Sequence, residues 1–302
     1  MSSTHVVTVI NDPAAPPLSV ADGTDIRLTL QVAGATARDA DWLATGIALD
    51  LPFSGIDPRH AEDAVRAGLT GRRADVVAQP LSQRRKKLLV ADMDSTIIGQ
   101  ECLDELAARA GVGAQVAALT ERAMRGEIDF AAALRERVAL LRGRSVALLE
   151  RTFEEAVRLN PGARTLVRTM REYGAHTALV TGGFLFFASR IAGLAGFDSF
   201  SGNQFEERDG VLTGGITGPI FGADAKLQRL RERMASLNVL QAETLALGDG
   251  ANDIPMLQAA GLGVAYHAKA KVRAAVPARI DFGDLTAALY LQGYRRTDFI
   301  DG

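Results

Sequence analysis

From residue 88 onward the chain repeats one pattern: a short apolar run, a turn rich in glycine or carboxylate, then an amphipathic stretch. Leu88-Leu89-Val90-Ala91, Ala178-Leu179-Val180 and Leu245-Ala246-Leu247 carry no polar face. Strands of that kind must be covered on both sides, which is the condition of a parallel sheet between two layers of helices. The spacing predicts strands at 88–92, 176–181, 244–247, 263–266 and 279–282, with helices at 162–172, 185–194, 224–236, 253–260 and 269–276. The expected class is α/β, a doubly wound and mostly parallel sheet.

Two regions depart from this rhythm. Residues 97–160 separate the first two strands with enough sequence for several helices, so a helical cap over the carboxyl edge of the sheet is expected. Residues 1–84 read as a small α/β module placed before a main domain at 85–302. It has an apolar run at 6–10, alternation at 26–32 and at 47–51 that predicts strands, a helix at 58–69 after Asp57, and a strand at 75–78. Asp209-Gly210 between 203–206 and 211–216 predicts a hairpin. The basic run Arg84-Arg85-Lys86-Lys87 reads as a solvated linker.

Charge narrows the partners. Lys+Arg 34 against Asp+Glu 36 leaves a net charge of -2, which supplies no field for nucleic acid or anionic lipid. No segment has the uninterrupted apolar length of a membrane span or the layout of a signal peptide. Cys102, the single cysteine, cannot form an internal disulfide and reads as buried filler. A cytoplasmic protein with a small-molecule partner is expected, and the sequence is compatible with a homo-oligomer without requiring one.

The chemistry collects at strand ends, where open α/β sheets bind ligands. Leu88 to Ala91 leads into Asp92-Met93-Asp94-Ser95-Thr96. Carboxylates two residues apart on an extended chain repel unless a cation or a shared proton intervenes, although such a pair can also simply turn a strand into a helix cap. Leu245 to Leu247 leads into Gly248-Asp249-Gly250-Ala251-Asn252-Asp253. Carboxylates converging there without a histidine or cysteine cluster favour a hard, oxygen-liking cation, with magnesium fitting best. Thr181-Gly182-Gly183-Phe184 forms a third strand end, where backbone amides and a hydroxyl suit a phosphate, though alone such a turn is an ordinary strand-to-helix connection. Lys226 lies in the first turn of the helix at 224–236.

Taken in order, Asp92-x-Asp94, Thr181, Lys226 and Gly248-Asp249-Gly250-x-Asn252-Asp253 resemble the four motifs of the haloacid-dehalogenase-like hydrolase superfamily. Across residues 85–295 the wording is similar to its phosphoserine phosphatase family. The resemblance implies a HAD-like, Rossmann-like fold and a magnesium-dependent phosphomonoesterase that completes serine biosynthesis by hydrolysing phosphoserine. It implies Asp92 as nucleophile, Asp94 as proton donor and then base, and Lys226 as the cation opposing phosphate charge. It further implies magnesium on Asp92, the Asp94 backbone carbonyl and Asp249, with Asp253 orienting that shell. Thr181, Gly182, Gly183 and Asn252 would hold the phosphate side of the substrate. In the cap, Glu101 and Arg137 would hold the amino and carboxylate groups of serine, with Met124 and Phe130 as walls. Arg137 sits beside an apolar stripe of Leu134, Val138 and Leu141, so it also calls for an acidic partner.

Two features depart from the family pattern. Thr181 stands where serine is usual, and the first residues resemble amino-acid-binding (ACT-like) modules without a motif that fixes the match. A phosphotransferase to another small alcohol and a non-catalytic amino-acid sensor are the competing expectations.

Overall fold

The computed structural model describes residues 3–125 and 127–301, with the Met124 side chain outside the described set. The chain opens with β1 (His5–Asn11), α1 (Val20–Val32), β2 (Thr36–Ala37), β3 (Asp41–Ala44), β4 (Ala48–Ser54), α2 (Pro58–Gly68) and β5 (Ala74–Pro80). β1 is central, antiparallel to both β4 and β5, with Val7 opposite Leu51 and Ala78. Its β-branched run is buried on both faces because each face meets a different partner. Val7 and Val9 pack with Leu49, Leu51 and Val76 against Ile26 and Leu30 of α1 and Ala61 and Val65 of α2. Ile10, Leu43, Ala48 and Val77 join the core of the larger sheet.

The alternation at 26–32 is a helix, not a strand. Ser19 and Asp22 form a capping box that starts α1, and Gly23, Ile26 and Leu30 face the sheet at helical spacing. Leu28 and Val32 make the sequence look alternating, but they lie on the wet side, 47% and 90% exposed. The cap signal upstream carries more information than the two exposed apolar residues.

The second sheet follows from β6 (Leu88–Ala91), then α3 (Cys102–Arg109), α4 (Gly113–Met124), α5 (Phe130–Ala139), α6 (Ala147–Ala156), α7 (Ala163–Glu172), β7 (His176–Phe184), α8 (Leu185–Ala195), β8 (Ser199–Arg208) and β9 (Val211–Thr217). It ends with α9 (Ala223–Leu237), β10 (Thr244–Gly248), α10 (Ile254–Ala259), β11 (Leu262–Tyr266), α11 (Ala270–Ala275), β12 (Ala278–Ile280) and α12 (Ala287–Leu291). The strand order is β12-β11-β10-β6-β7-β8-β9, parallel except for the β8–β9 hairpin. Asp209 and Gly210 take the positive φ values that the hairpin turn requires.

Period two divides the apolar runs between the sheet faces. Leu88, Val90, Val180 and Ala246 meet Leu230, Met256 and Leu257. Leu89, Ala91, Leu179 and Leu247 meet Leu166, Val167, Phe187 and Ile191. Each leucine fully buried this way contributes roughly 1.5–3 kcal/mol. The chain leaves the sheet edge near Ile98 and returns at Leu159, the two crossings pinned by an antiparallel bridge. Helices α3 to α6 lie between them, and α5 rests on β9, where Gly214 permits close approach to the Ala139 backbone. No helix among the described residues is long and apolar enough to cross a membrane.

The basic run at 84–87 is not a solvated linker throughout. Arg84, its side chain only 10% exposed, pairs with Asp50 while also donating to Thr8 and to the carbonyls of Tyr290 and Leu291. Lys86 is buried, donating through Nζ to the carbonyls of Gln83 and Ala242, and its burial lowers its pKa to about 8. Partners mostly remote in sequence, from Asp50 at 34 positions to Leu291 at 207, absorb charges that local pattern assigns to water. Arg84→Ala leaves Asp50 buried without its cation and should destabilise the fold by about 3–5 kcal/mol. The urea midpoint measures this, and a change below about 0.5 kcal/mol would contradict the pairing.

Candidate active site

Parallel register aligns three strand ends. Ala91 stands opposite Leu247 on one side and Leu179 on the other, so Asp92, Asp249 and Thr181 emerge side by side. Below them Lys226, at the start of α9, has 0% exposure. Its Nζ donates to Asp92 Oδ1 and to Asp253 Oδ1, both at 2.7 Å. Asp253 Oδ2 accepts the Gly250 N–H at 3.0 Å. A side chain at Gly248 would place its Cβ 2.5 Å from Asp253 Cγ, so glycine is needed for the carboxylate to lie there.

Asp94 turns the other way. Its Oδ1 accepts the Cys102 N–H at 2.8 Å, and its Oδ2 accepts from Thr181 Oγ1 at 3.2 Å. Thr181 Oγ1 also accepts the Gly183 N–H at 2.8 Å, so this hydroxyl holds both the Asp94 carboxyl and the glycine turn. Burial, then the charge of Glu101, push the Asp94 carboxyl up to about 6. Asp249 is also raised to about 6, by burial and then by Asp253.

Asp92, Asp249 and Asp253 have carboxylate oxygens within 4.8 Å of one another. Burial and the Asp253 charge push Asp92 up, and Lys226 opposes them. Burial alone disfavours the Lys226 charge, yet Asp92 and Asp253 outweigh it and hold the ammonium protonated. One ammonium among three buried carboxylates leaves negative charge uncompensated, and the donors are oxygens with no histidine or thiolate in the cluster. A hard cation fits that set.

The carboxylates open into a cavity of about 510 Å³ whose lining includes Asp92, Asp94, Glu101, Phe130, Arg137, Thr181, Gly182, Gly183, Asp249 and Asn252. Sheet-edge and cap residues separated in sequence therefore share one space. Glu101 precedes α3 without capping it, and its carboxylate accepts from Ser95 Oγ at 2.7 Å. Arg137 donates from Nη2 to Asp104 Oδ1 at 2.8 Å, while its buried Nε has no partner among the described residues. Phe130, 43% exposed, begins α5 after the Asp129 cap. A Cβ added at Gly182 would lie 3.2 Å from its ring. Lys226 does not line the cavity but lies behind Asp92. The Met124 side chain is outside the described residues. A broader hollow of about 650 Å³ lies at the amino end of β7, where Arg171 already pairs with Asp198 at 2.7 Å.

Four further residues complete the arrangement. Thr96 donates to Asp249 Oδ1 at 3.1 Å, and Asp104 is the acidic partner that Arg137 calls for. Asn203 donates to the Gly182 carbonyl at 2.8 Å and accepts from the Phe221 N–H at 2.7 Å, tying the glycine turn to the approach of α9. Lys269 lines the cavity beside Asp249. Only Thr96 carried a local signal, as part of the motif beginning at Asp92; the others depend on tertiary approach.

The model of the haloacid dehalogenase-like hydrolase family matches residues 89–258. A phosphoserine phosphatase of Polaromonas sp. (strain JS666) is 46% identical over 210 residues, 68% of this chain and 89% of that protein. One from Streptomyces coelicolor is 41% identical over 253 residues, 83% of this chain and 62% of that longer protein. Among solved structures, a HAD family hydrolase of Salmonella enterica serovar Typhi superposes with a TM-score of 0.83 at 30% identity, covering 95% of this chain and 98% of its own. A probable phosphoserine phosphatase of Vibrio cholerae gives 0.77 at 30% identity, covering 98% of this chain and 88% of its own.

Asp249→Asn removes one charge from the cluster without changing its shape. It should weaken divalent-cation binding, measured by titration calorimetry without substrate, by about 10-fold or more. Unaltered affinity would locate the cation elsewhere.

Proposed function

The chain belongs to the haloacid dehalogenase-like hydrolase family, and on that premise we propose that it hydrolyses O-phospho-L-serine to serine and phosphate through an aspartyl-phosphate on Asp92. The observation that carries this reading is the single cavity uniting Asp92 and Asp94 at the sheet edge with Glu101 and Arg137 from the cap. The relatives named phosphoserine phosphatases, in bacteria as different as Polaromonas and Streptomyces, support the same substrate.

Asp92 attacks phosphorus in line with the departing serine oxygen, and its carboxylate takes the phosphoryl group. Asp94 gives the leaving oxygen its proton, then removes one from the water that hydrolyses the acyl-phosphate. The N–H of Cys102 and the hydroxyl of Thr181 hold the Asp94 carboxyl at the cavity wall while it does so. Lys226 keeps the attacking carboxylate oriented and offsets its charge from behind. The amide of Gly182, with the side chain of Asn252 beside it, receives the phosphoryl oxygens, while the Gly183 N–H stays on the Thr181 hydroxyl. The Asp92 and Asp249 carboxylates and the Asp94 carbonyl would hold Mg2+, with Asp253 and Thr96 fixing their orientation. When bound, that ion supplies positive charge to the attacking carboxylate and the transferring group.

Substrate choice resides in the cap. Glu101 faces the amino group and Arg137 the carboxylate, with Phe130 closing the side over Gly182. The enzyme so described acts on a cytoplasmic metabolite. Loss of a hydrogen bond to a charged group costs about 1.5–3 kcal/mol. Arg137→Ala and Glu101→Gln should therefore each raise KM for phosphoserine by about 10-fold or more, while KM for an aryl phosphate stays within about 2-fold. Initial-rate phosphate release on both substrates measures the difference. Equal effects on the two would remove the cap pair from serine recognition.

A further inference from the structure

Charge around the cavity is lopsided. Four carboxylates line it, Asp92, Asp94, Glu101 and Asp249, against two cations, Arg137 and Lys269. Arg137 is engaged by Asp104, and Lys226 is buried behind Asp92 between two carboxylates. Lys269 is exposed, lines the cavity, and has no ion-pair partner among the described residues. Beside the cation that Asp92 and Asp249 would hold, an incoming phosphate dianion therefore meets one ammonium with no carboxylate partner.

The segment carrying this lysine is held from several directions. The Lys269 N–H donates to the Asp249 carbonyl at 3.4 Å. Two residues earlier His267 adopts a left-handed φ of 43°, uncommon for a residue with a side chain. Its backbone N–H donates to the Ile280 carbonyl, and its Nε2 bonds the Gly283 carbonyl, both at 2.8 Å. The turn at 281–283 is itself anchored in the first sheet: the buried Asp75 carboxylate accepts the N–H groups of Asp281 at 2.7 Å and Gly283 at 2.8 Å. A left-handed histidine fixed at both backbone and ring is a position determined by its surroundings.

We infer that Lys269 is the binding residue that draws the substrate phosphate into the cavity, and that His267 positions it by fastening its loop to the turn held by Asp75. This rests on the phosphomonoesterase reading above. Because the phosphate is common to all substrates, Lys269 acts on any phosphomonoester, unlike Arg137 and Glu101.

The test is phosphate release by the full-length chain with magnesium, from phosphoserine and from an aryl phosphate, across a range of ionic strength. For Lys269→Ala the expected result at low salt is a kcat/KM lower by about 10-fold on both substrates, kcat within about 2-fold, and a flattened salt dependence. Lys269→Arg should keep most of kcat/KM. His267→Asn tolerates the left-handed backbone but cannot reach Gly283; it should lower kcat/KM part of the way and add nothing in a Lys269→Ala background. An active wild type whose Lys269→Ala variant keeps its kcat/KM and salt slope overturns the inference alone. So does a loss confined to phosphoserine, and a fully additive double variant overturns the positioning role of His267. A wild type that releases no phosphate from either substrate overturns the phosphatase reading itself.

Discussion

A lysine with no exposed surface bonds two carboxylates in the middle of this molecule, and the arrangement above it depends on that contact. Lys226 ties the start of α9 to the end of β6 through Asp92 and to the start of α10 through Asp253, three segments separated in sequence. Burying an ammonium and two carboxylates gains little stability, since desolvation consumes most of the attraction, whereas losing one partner costs about 3–5 kcal/mol. Stability alone is a weak reason for keeping such a cluster. Its use lies in presenting Asp92 in a defined orientation beside uncompensated charge that a hard cation can meet.

The floor and the roof of the cavity divide the work. Asp92, Asp94, Asp249 and Thr181 come from strand ends whose positions follow from register, so the reacting groups sit on the hydrogen-bonded edge of the sheet. Glu101, Phe130 and Arg137 come from helices inserted between two strands, where substitutions can change the ligand without disturbing the sheet. The first sheet is not a detached appendage: one of its faces shares the main core, and Asp75, Gln79 and Arg84 bond backbone groups near the carboxyl end of the chain.

Much of this was legible in the residues. Apolar runs without a polar face required a covered parallel sheet, Asp209-Gly210 marked the hairpin, and the spacing of carboxylates beyond strand ends located the cavity floor. What was not legible has a common physical cause. The strand expected at 26–32 is helical because capping by Ser19 and Asp22 and the Ile26–Leu30 spacing prevail over a two-residue alternation. Arg84 and Lys86 look solvated in isolation and are largely withdrawn from water because distant carbonyls and Asp50 satisfy them. Asp104, Asn203 and Lys269 carry no local mark, since their meaning lies in what approaches them across the fold.

The covalent step on Asp92 is the most exposed point of the whole reading. Rapid quenching during phosphoserine turnover, borohydride reduction of any acyl-phosphate and peptide mapping by mass spectrometry would locate it. The expected result is homoserine in place of aspartate at position 92, dependent on substrate and absent from position 94. Reduction at Asp94 or at Asp249, or full turnover with no trapped residue at 92, would contradict it.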